Sequence, residues 1–329
     1  MTSRQLHAWI RLSLCRSVGA RTWNHWLTGL AAAGLSLEKF LELPEHEARP
    51  LLNQWTTIAH ALRQEAPTSG QLDQLVKQLE REKIRLLPIS DPHYPARLLS
   101  DLGLDAPTFL YVAGNLSLLR GPTIALVGTR NPSALGQESA RAYASVLARE
   151  GVHVVSGNAR GIDTAAHEGA LAGGGSTTLV LPCGIFARQV APPLEAAVAH
   201  DQALILSQFA PEAHTGPDLP ILRNSTIAAL GEGLVVVESG LLGGTAHAFR
   251  QARRLRKPLW AVIYPPPIPP SASGNHSLLF AGAQRLEPGQ SGAEQCVARI
   301  IERLRDFLDH RPAPPTWPLA ESPGQGELF

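Results

Sequence analysis

The chain has 329 residues, of which 44% are hydrophobic and 17% are charged, and its formal net charge is +1. These values are ordinary for a globular protein with one sizeable core and a smaller domain. A net charge this small is no polyanion-binding signature by itself, so any basic surface must be local.

The cysteines and the apolar runs limit the class of protein further. Cys15, Cys183 and Cys296 are few and widely spaced, which argues against a disulfide framework or a zinc site and for a reducing compartment. The N-terminus lacks a signal-peptide core, and no apolar run approaches the roughly 20 residues that span a bilayer. We therefore expect a cytoplasmic protein with no metal site and no membrane partner.

Residues 1–84 are predicted to form a small helical domain. Apolar residues recur at helical spacing around Trp9 and again around Trp26, and leucines within 71–83 mark an amphipathic helix. From Leu86 onward, prolines punctuate an extended lead-in to the next domain.

The region from Thr123 onward alternates short apolar runs with helical segments. The runs typical of buried strands are Thr123–Val127, Val152–Val155, Thr177–Leu181, Ala203–Leu206, Leu234–Val237 and Leu259–Ile263. This alternation predicts an α/β fold with a doubly wound, mostly parallel sheet and with ligands at the carboxyl ends of its strands. We assign this domain to residues 85–305 and predict a proline-rich, disordered tail over 306–329.

One turn between a predicted strand and a predicted helix, within residues 156–167, favours an anion site. Gly157 and Gly161 permit close backbone approach, and the N–H groups at the helix start face an incoming negative charge. Arg160 offers a planar guanidinium that suits phosphate. We expect Asp163 to cap the helix and His167 to be a structural histidine, and neither residue is assigned a catalytic role.

Two further turns repeat this arrangement. After the first core strand, Arg130 is a candidate phosphate ligand and Ser133 a candidate helix cap, although a turn with a surface arginine is the simpler alternative. The later turn contains Gly243, Gly244 and Thr245. It predicts either a phosphate cradle or merely tight packing between a strand and a helix.

Two basic features complete the candidates. Arg223 precedes a predicted helix that leads into a strand of the sheet. It is either a phosphate contact or the partner of Glu238 or Asp218 in a structural salt bridge. The arginines and the lysine within 250–257 form the densest basic cluster, which is typical of the solvated face of a helix.

Taken in order, these motifs resemble the DprA/Smf family over roughly residues 1–286. The motifs that carry the resemblance are 91–98, 111–115, 128–136, 156–167, 223–224, 237–238, 274–275 and 282–283. The resemblance implies an extended Rossmann-like fold behind a helix-hairpin-helix-like start. It also implies a homodimer that binds and protects single-stranded DNA and loads the RecA recombinase in natural transformation, with no cofactor and no enzymatic activity.

Carried over by motif, the resemblance implies which residues contact DNA. They are Arg130, Ser133, Gly157, Arg160 and Arg223, with Asn224 shaping the same groove. The chain departs from the family pattern where Ser225 replaces an arginine, so one expected phosphate contact is missing.

A nucleotide-binding sensor or a nucleotide-processing enzyme is the alternative function. The Gly243–Thr245 loop is also similar to that of nucleotide-hydrolysing proteins of the lysine-decarboxylase-like group. A hydrolase would need Glu238 or His247 as its general acid or base.

The last five residues resemble the short peptide with which bacterial proteins dock on the DNA sliding clamp. Gln325, Leu328 and Phe329 are the candidate contacts, because adjacent Leu and Phe side chains suit a hydrophobic pocket. A chance match is the alternative, since the motif is short.

Overall fold

A computed structural model of the chain describes residues 1–52, 55–65 and 67–318. The chain divides into two compact units. Unit 1 comprises Met1–Tyr111 and the described residues from Ala313, and unit 2 comprises Val112–Pro312. Residues 85–111 therefore group with the helical region, and the domain boundaries drawn from the sequence stay predictions.

Unit 1 is mainly helical, as the apolar spacing predicts. Its elements are α1 (Ser3–Leu14), α2 (Ala20–Ala32), α3 (Leu37–Glu42), α4 (Glu45–Leu52), α5 (Thr56–Gln64), α6 (Ser69–Arg81), β1 (Ile84–Pro88), α7 (Ala96–Leu102) and β2 (Phe109–Gly114), the last of which crosses into unit 2. Capping boxes at Thr2 and Thr68 begin α1 and α6. Trp23 and Trp26 are buried with ring centroids 5.6 Å apart, and Phe40 packs edge-on against Trp26.

Unit 2 contains the alternating strands and helices. Its further elements are β3 (Thr123–Val127), α8 (Ala134–Arg149), β4 (His153–Gly157), α9 (Ile162–Ala172), β5 (Thr177–Val180), α10 (Pro192–Ala199), β6 (Ala203–Ser207), α11 (Leu219–Leu230), β7 (Leu234–Val236), α12 (Gly244–Arg254), β8 (Leu259–Val262), α13 (Asn275–Phe280), β9 (Gln284–Leu286) and α14 (Gly289–Asp309). All six predicted strands are present. The helix α14 continues past the predicted start of the tail at residue 306, and residues 319–329 lie outside the described ranges.

The strands β3 to β9 form a parallel arrangement in the order β6-β5-β4-β3-β7-β8-β9. From β3 the chain adds β4, β5 and β6 on one side of that strand, and it then adds β7, β8 and β9 on the other side. There Ala125 of β3 is in register with Leu234 of β7. The strand order therefore reverses at β3, which is where doubly wound sheets bind ligands.

Helices cover both faces of this sheet. Ile124 and Leu126 share a core cluster with residues of α8, α9 and α14. Side chains alternate along a strand, so Ala125 and Val127 face the opposite side, where α11 packs against β3. This arrangement confirms the predicted α/β class. None of the helices in the described ranges is long and apolar enough to cross a membrane.

Candidate functional site

Three strand-to-helix loops of unit 2 meet at the carboxyl edge of the sheet. They follow β3, β4 and β7, and we call them the rim (residues 128–133, 158–161 and 237–243). Because β3 pairs in parallel with both β4 and β7, the three loops start side by side. The backbone of Thr129 links them, since its N–H donates to Glu238 O at 2.9 Å and its carbonyl accepts from Ile162 N at 3.2 Å. The structure thus brings the three predicted turns together.

The loop after β4 approaches the loop after β3 so closely that only glycine fits. Gly161 has φ +87° and ψ −123°, a conformation that side chains disfavour. A Cβ on this residue would lie 2.6 Å from the carbonyl oxygen of Thr129. Arg130 and Arg160 are both exposed on the rim, and neither forms an ion pair among the described residues. The two arginines therefore present positive charge that is not held in an ion pair within the described ranges.

Beneath this loop lies a buried group of polar side chains. Arg223 is only 4% exposed, and it donates to Val180 O at 2.7 Å. Its guanidinium and the carboxylate of Asp163 both occupy the space that the missing side chain of Gly157 leaves. Within the described part of the chain, the Nε of Arg223 has no hydrogen-bond partner. The direct phosphate contact expected of Arg223 stays a prediction, and what the structure establishes is its position under the turn.

Burial opposes charge on both members of this pair. It raises the pKa of the Asp163 carboxyl, and the positive charge of Arg223 opposes that rise. Burial also lowers the pKa of Arg223, and the negative charge of Asp163 opposes that fall. Glu238 and Asp218 were the predicted salt-bridge partners of Arg223. That prediction is wrong, because the carboxylate that faces the guanidinium of Arg223 belongs to Asp163.

Asp163 and His167 hold the turn from within. The helix α9 starts at Ile162 after Gly161, so the prediction that Asp163 caps it is wrong; its carboxylate accepts from Ala159 N instead. Burial lowers the pKa of His167 to about 4, which leaves the ring neutral at pH 7. Its Nε2 donates to Gly157 O at 2.6 Å, and its Nδ1 pairs with Thr177 Oγ1 at 2.7 Å. His167 is a structural histidine, as predicted.

Ser133 connects the loop after β3 to the loop after β7. Its hydroxyl accepts from Gly136 N at 2.9 Å and caps α8, as predicted. The same hydroxyl donates to the fully buried carboxylate of Glu238, which also accepts from Ser133 N at 3.0 Å. Both groups of Ser133 are therefore occupied inside the protein, and its contact with DNA stays a prediction.

The loop after β7 is positioned by two asparagines. Asn224 on α11 donates to Gly244 O at 2.9 Å, which joins α11 to the first turn of α12. Gly243 has φ +109° and precedes α12, with Thr245 in the first turn of that helix. Sequence reasoning assigned no role to Asn275, which donates to Val237 O and Val262 O and accepts from Ser239 N. The only signal for it was its place in the 274–275 motif.

No cluster of His, Cys, Asp and Glu side chains within the described ranges is arranged to hold a metal ion. The predicted site residues instead form two groups. Arg130, Arg160 and Gly243 lie exposed on the rim and Gly244 lies exposed directly after it, whereas Gly157, Arg223 and Asn224 are buried behind it. The arrangement provides exposed guanidinium groups and helix N-termini at one edge, which suits a ligand with more than one negative charge.

Comparison with known proteins identifies relatives of this chain. The sequence model for DNA recombination-mediator protein A matches residues 85–297. The DNA processing protein DprA of Streptococcus pneumoniae is 34% identical over 223 residues, which cover 67% of this chain and 77% of that protein. The protein Smf of Escherichia coli is 34% identical over 62% of this chain, but this match spans only 54% of Smf.

Two solved structures share the fold. The crystal structure of DprA from Streptococcus pneumoniae has a TM-score of 0.70 at 24% identity, over 89% of this chain and 97% of that one. DprA from Helicobacter pylori, whose structure describes a single-stranded DNA binding mode, has a TM-score of 0.54 at 24% identity, over 67% of this chain and 96% of that one. The chain belongs to the DprA/Smf family of DNA recombination-mediator proteins.

Proposed function

We propose that this chain binds single-stranded DNA, with the phosphates of one strand lying along the rim. The supporting observation is the position of Arg130 and Arg160, two exposed arginines without an acidic partner among the described residues, beside adjacent helix N-termini. A basic groove that follows the backbone of an unpaired strand gives binding with little sequence preference. The single-stranded DNA binding described for the Helicobacter pylori relative supports the same ligand.

The buried residues have a positioning role in this proposal. Asp163, His167 and Arg223 fix the turn that carries Arg160, and Glu238 fixes Ser133 and with it the loop that carries Arg130. Their contribution to DNA binding is to hold the exposed groups in place before the strand arrives, which reduces the ordering cost of binding.

The test is a salt titration of fluorescence anisotropy with labelled oligo(dT), comparing wild type with Arg160→Ala. Arg149→Ala is the matched control, because Arg149 is an exposed arginine at the end of α8 without an ion pair. Loss of one phosphate contact should reduce the slope of log K against log salt by about 0.7. Equal affinity for single and double strands, unchanged by Arg160→Ala, would contradict the proposal.

Protection of incoming DNA and loading of RecA extend this function to a role in natural transformation and recombination. The family assignment supports both, and a cytoplasmic location agrees with the three free, buried cysteines. RecA loading predicts that the chain raises the DNA-dependent ATPase activity of RecA on strands already coated by a competing binding protein. No increase over RecA alone would contradict it.

A homodimer is part of the proposal. Phe280 at the end of α13 is 95% exposed, and we place it at the dimer interface, where its apolar side chain would be covered. Light scattering of the purified chain should give twice the monomer mass, and Phe280→Asp should reduce it. A monomer at all concentrations would contradict the dimer.

Docking on the DNA sliding clamp is a separate proposal that concerns residues outside the described ranges. The sequence of Gln325–Phe329 supports it. Fluorescence polarisation of a labelled tail peptide should show binding to the clamp, and Leu328→Ala with Phe329→Ala should abolish it. Equal weak binding by both peptides would remove the idea.

The nucleotide-processing alternative gains less support from the site. Glu238 is fully buried and bound to Ser133, so it is not available as a general base. Thermal stabilisation by nucleotides together with no affinity for oligonucleotides would favour this alternative over DNA binding.

A further inference from the structure

The basic cluster within residues 250–257 is divided by the structure into two parts. Lys257 is buried and donates to the carbonyls of Ala228 and Ala229 at 2.8 and 2.7 Å. Its ammonium group therefore stabilises the carboxyl end of α11. The arginines of the cluster remain exposed. The predicted solvated face therefore consists of arginines alone.

The exposed face of α12 is a line of basic residues. Ala246, Ala248, Phe249 and Ala252 are buried on the side of α12 that packs against α11 and the sheet. With 3.6 residues per turn, His247, Arg250 and Arg254 lie on the opposite face, within an arc of about 60°. Gly244–Arg254 contains no acidic residue, so nothing on the helix itself offsets this charge.

These arginines differ from others on the surface because they have no acidic partner. Arg141 pairs with Glu168, Arg285 with Glu287 and Arg303 with Asp306. Among the described residues, the side chains of Arg250 and Arg254 form no ion pair. Partial burial lowers the pKa of His247, and the positive charge of Arg250 lowers it further.

The line of basic residues continues directly from the rim. It begins where Gly243 ends the rim loop after β7, and Asn224 binds the first turn at Gly244 O. From Gly244 to Arg254 the helix rises by about 15 Å. A polyanion that lies on the rim can therefore extend along α12, whereas an isolated acidic patch of a protein would not need this continuity.

We propose that the exposed face of α12 is a second phosphate track for the strand held on the rim, with Arg250 and Arg254 each contacting a phosphate. The inference rests on the proposed function and adds binding residues to it. It lengthens the segment of strand that one chain covers.

The test compares Arg250→Ala/Arg254→Ala with Arg149→Ala/Arg305→Ala. The control removes two exposed arginines without ion pairs from α8 and α14, which cover the other face of the sheet. Two lost phosphate contacts should reduce the salt slope for oligo(dT) by about 1.4. The affinity of the α12 variant relative to wild type should therefore be about 25-fold lower at 0.1 M salt than at 1 M salt. The control should match wild type in slope.

A second measurement does not depend on the variants folding. The imidazole of His247, followed by NMR in the wild-type chain, should show a higher pKa when oligo(dT) is bound, because adjacent phosphates favour the imidazolium. An unchanged pKa of His247 at saturating oligonucleotide overturns the inference.

The outcomes separate the two proposals. If Arg160→Ala weakens binding and the α12 variant does not, the second track is wrong and the proposed function stands. If the α12 variant loses affinity for a protein partner and keeps its affinity for oligo(dT), the track belongs to that partner and the inference is overturned. If the wild-type chain binds no oligonucleotide, both proposals fail together.

Discussion

Gly161 offers the sharpest test of how the rim is built. In Gly161→Ala, the backbone at φ +87° and ψ −123° becomes strained by about 1–3 kcal/mol. The added methyl group would also lie 2.6 Å from Thr129 O and 2.8 Å from the carbonyl of Arg130. These neighbours are backbone atoms of the loop after β3, so relief requires that the loop carrying Arg130 moves away.

Gly174→Ala is the matched control. Gly174 has φ +76° and no heavy atom within 4 Å of the added methyl, so this variant carries strain of about 1–2 kcal/mol without the overlap. Denaturant unfolding and oligo(dT) anisotropy on both variants separate the effects. We expect both variants to lose stability and only Gly161→Ala to lose affinity, by about tenfold or more, since an ångström of displacement at a contact has effects of this order. Equal oligonucleotide affinity of the two variants would refute the close packing of the two loops as the basis of binding.

Three further predictions concern side chains that support the rim. Arg223→Met leaves Asp163 unpaired and should cost about 3–5 kcal/mol of unfolding free energy, of which a second change, Asp163→Asn, restores part in a denaturant double-mutant cycle. His167 is neutral when folded, with a pKa of about 4, and binds a proton below 6.5 when unfolded; stability should therefore fall by up to about 3 kcal/mol as pH drops from 6.5 to 4. His167→Gln should flatten this slope. Ser133→Ala should lose about 1–2 kcal/mol in the same assay, whereas Ser133→Thr keeps the cap.

The strands β3 to β8 were predictable because each is buried at every position and reads as an apolar run. Thr123–Val127 is buried at every position, so its apolar run coincides with β3. In contrast, β9 was missed because Gln284 and Arg285 are exposed at the edge of the sheet and leave no apolar run. Their strand conformation comes from pairing with β8, which is a tertiary contact that local sequence does not encode.

The depth of the site residues was not predictable from residue type. In the first turns of α11, Ile221 and Leu222 are exposed while Arg223 and Asn224 are buried, which inverts the usual distribution. The inversion arises because Gly157 leaves room for a guanidinium and Asp163 supplies a carboxylate opposite it. Neither condition is local to α11, so the sequence left Arg223 as either a phosphate contact or a salt-bridge partner of Glu238 or Asp218, and Asp163 was not predicted to face it.

The buried pair also limits what the salt dependence of binding can report. The opposite charges of Asp163 and Arg223 offset each other inside the protein. The pair therefore adds little to the release of counterions when DNA binds. The slope then counts the exposed arginines. Arg130 and Arg160 alone give about −1.4, and the two arginines of α12 bring it to about −2.8. A wild-type slope near the smaller value would already confine the strand to the rim, and a slope near the larger one requires phosphate contacts beyond it.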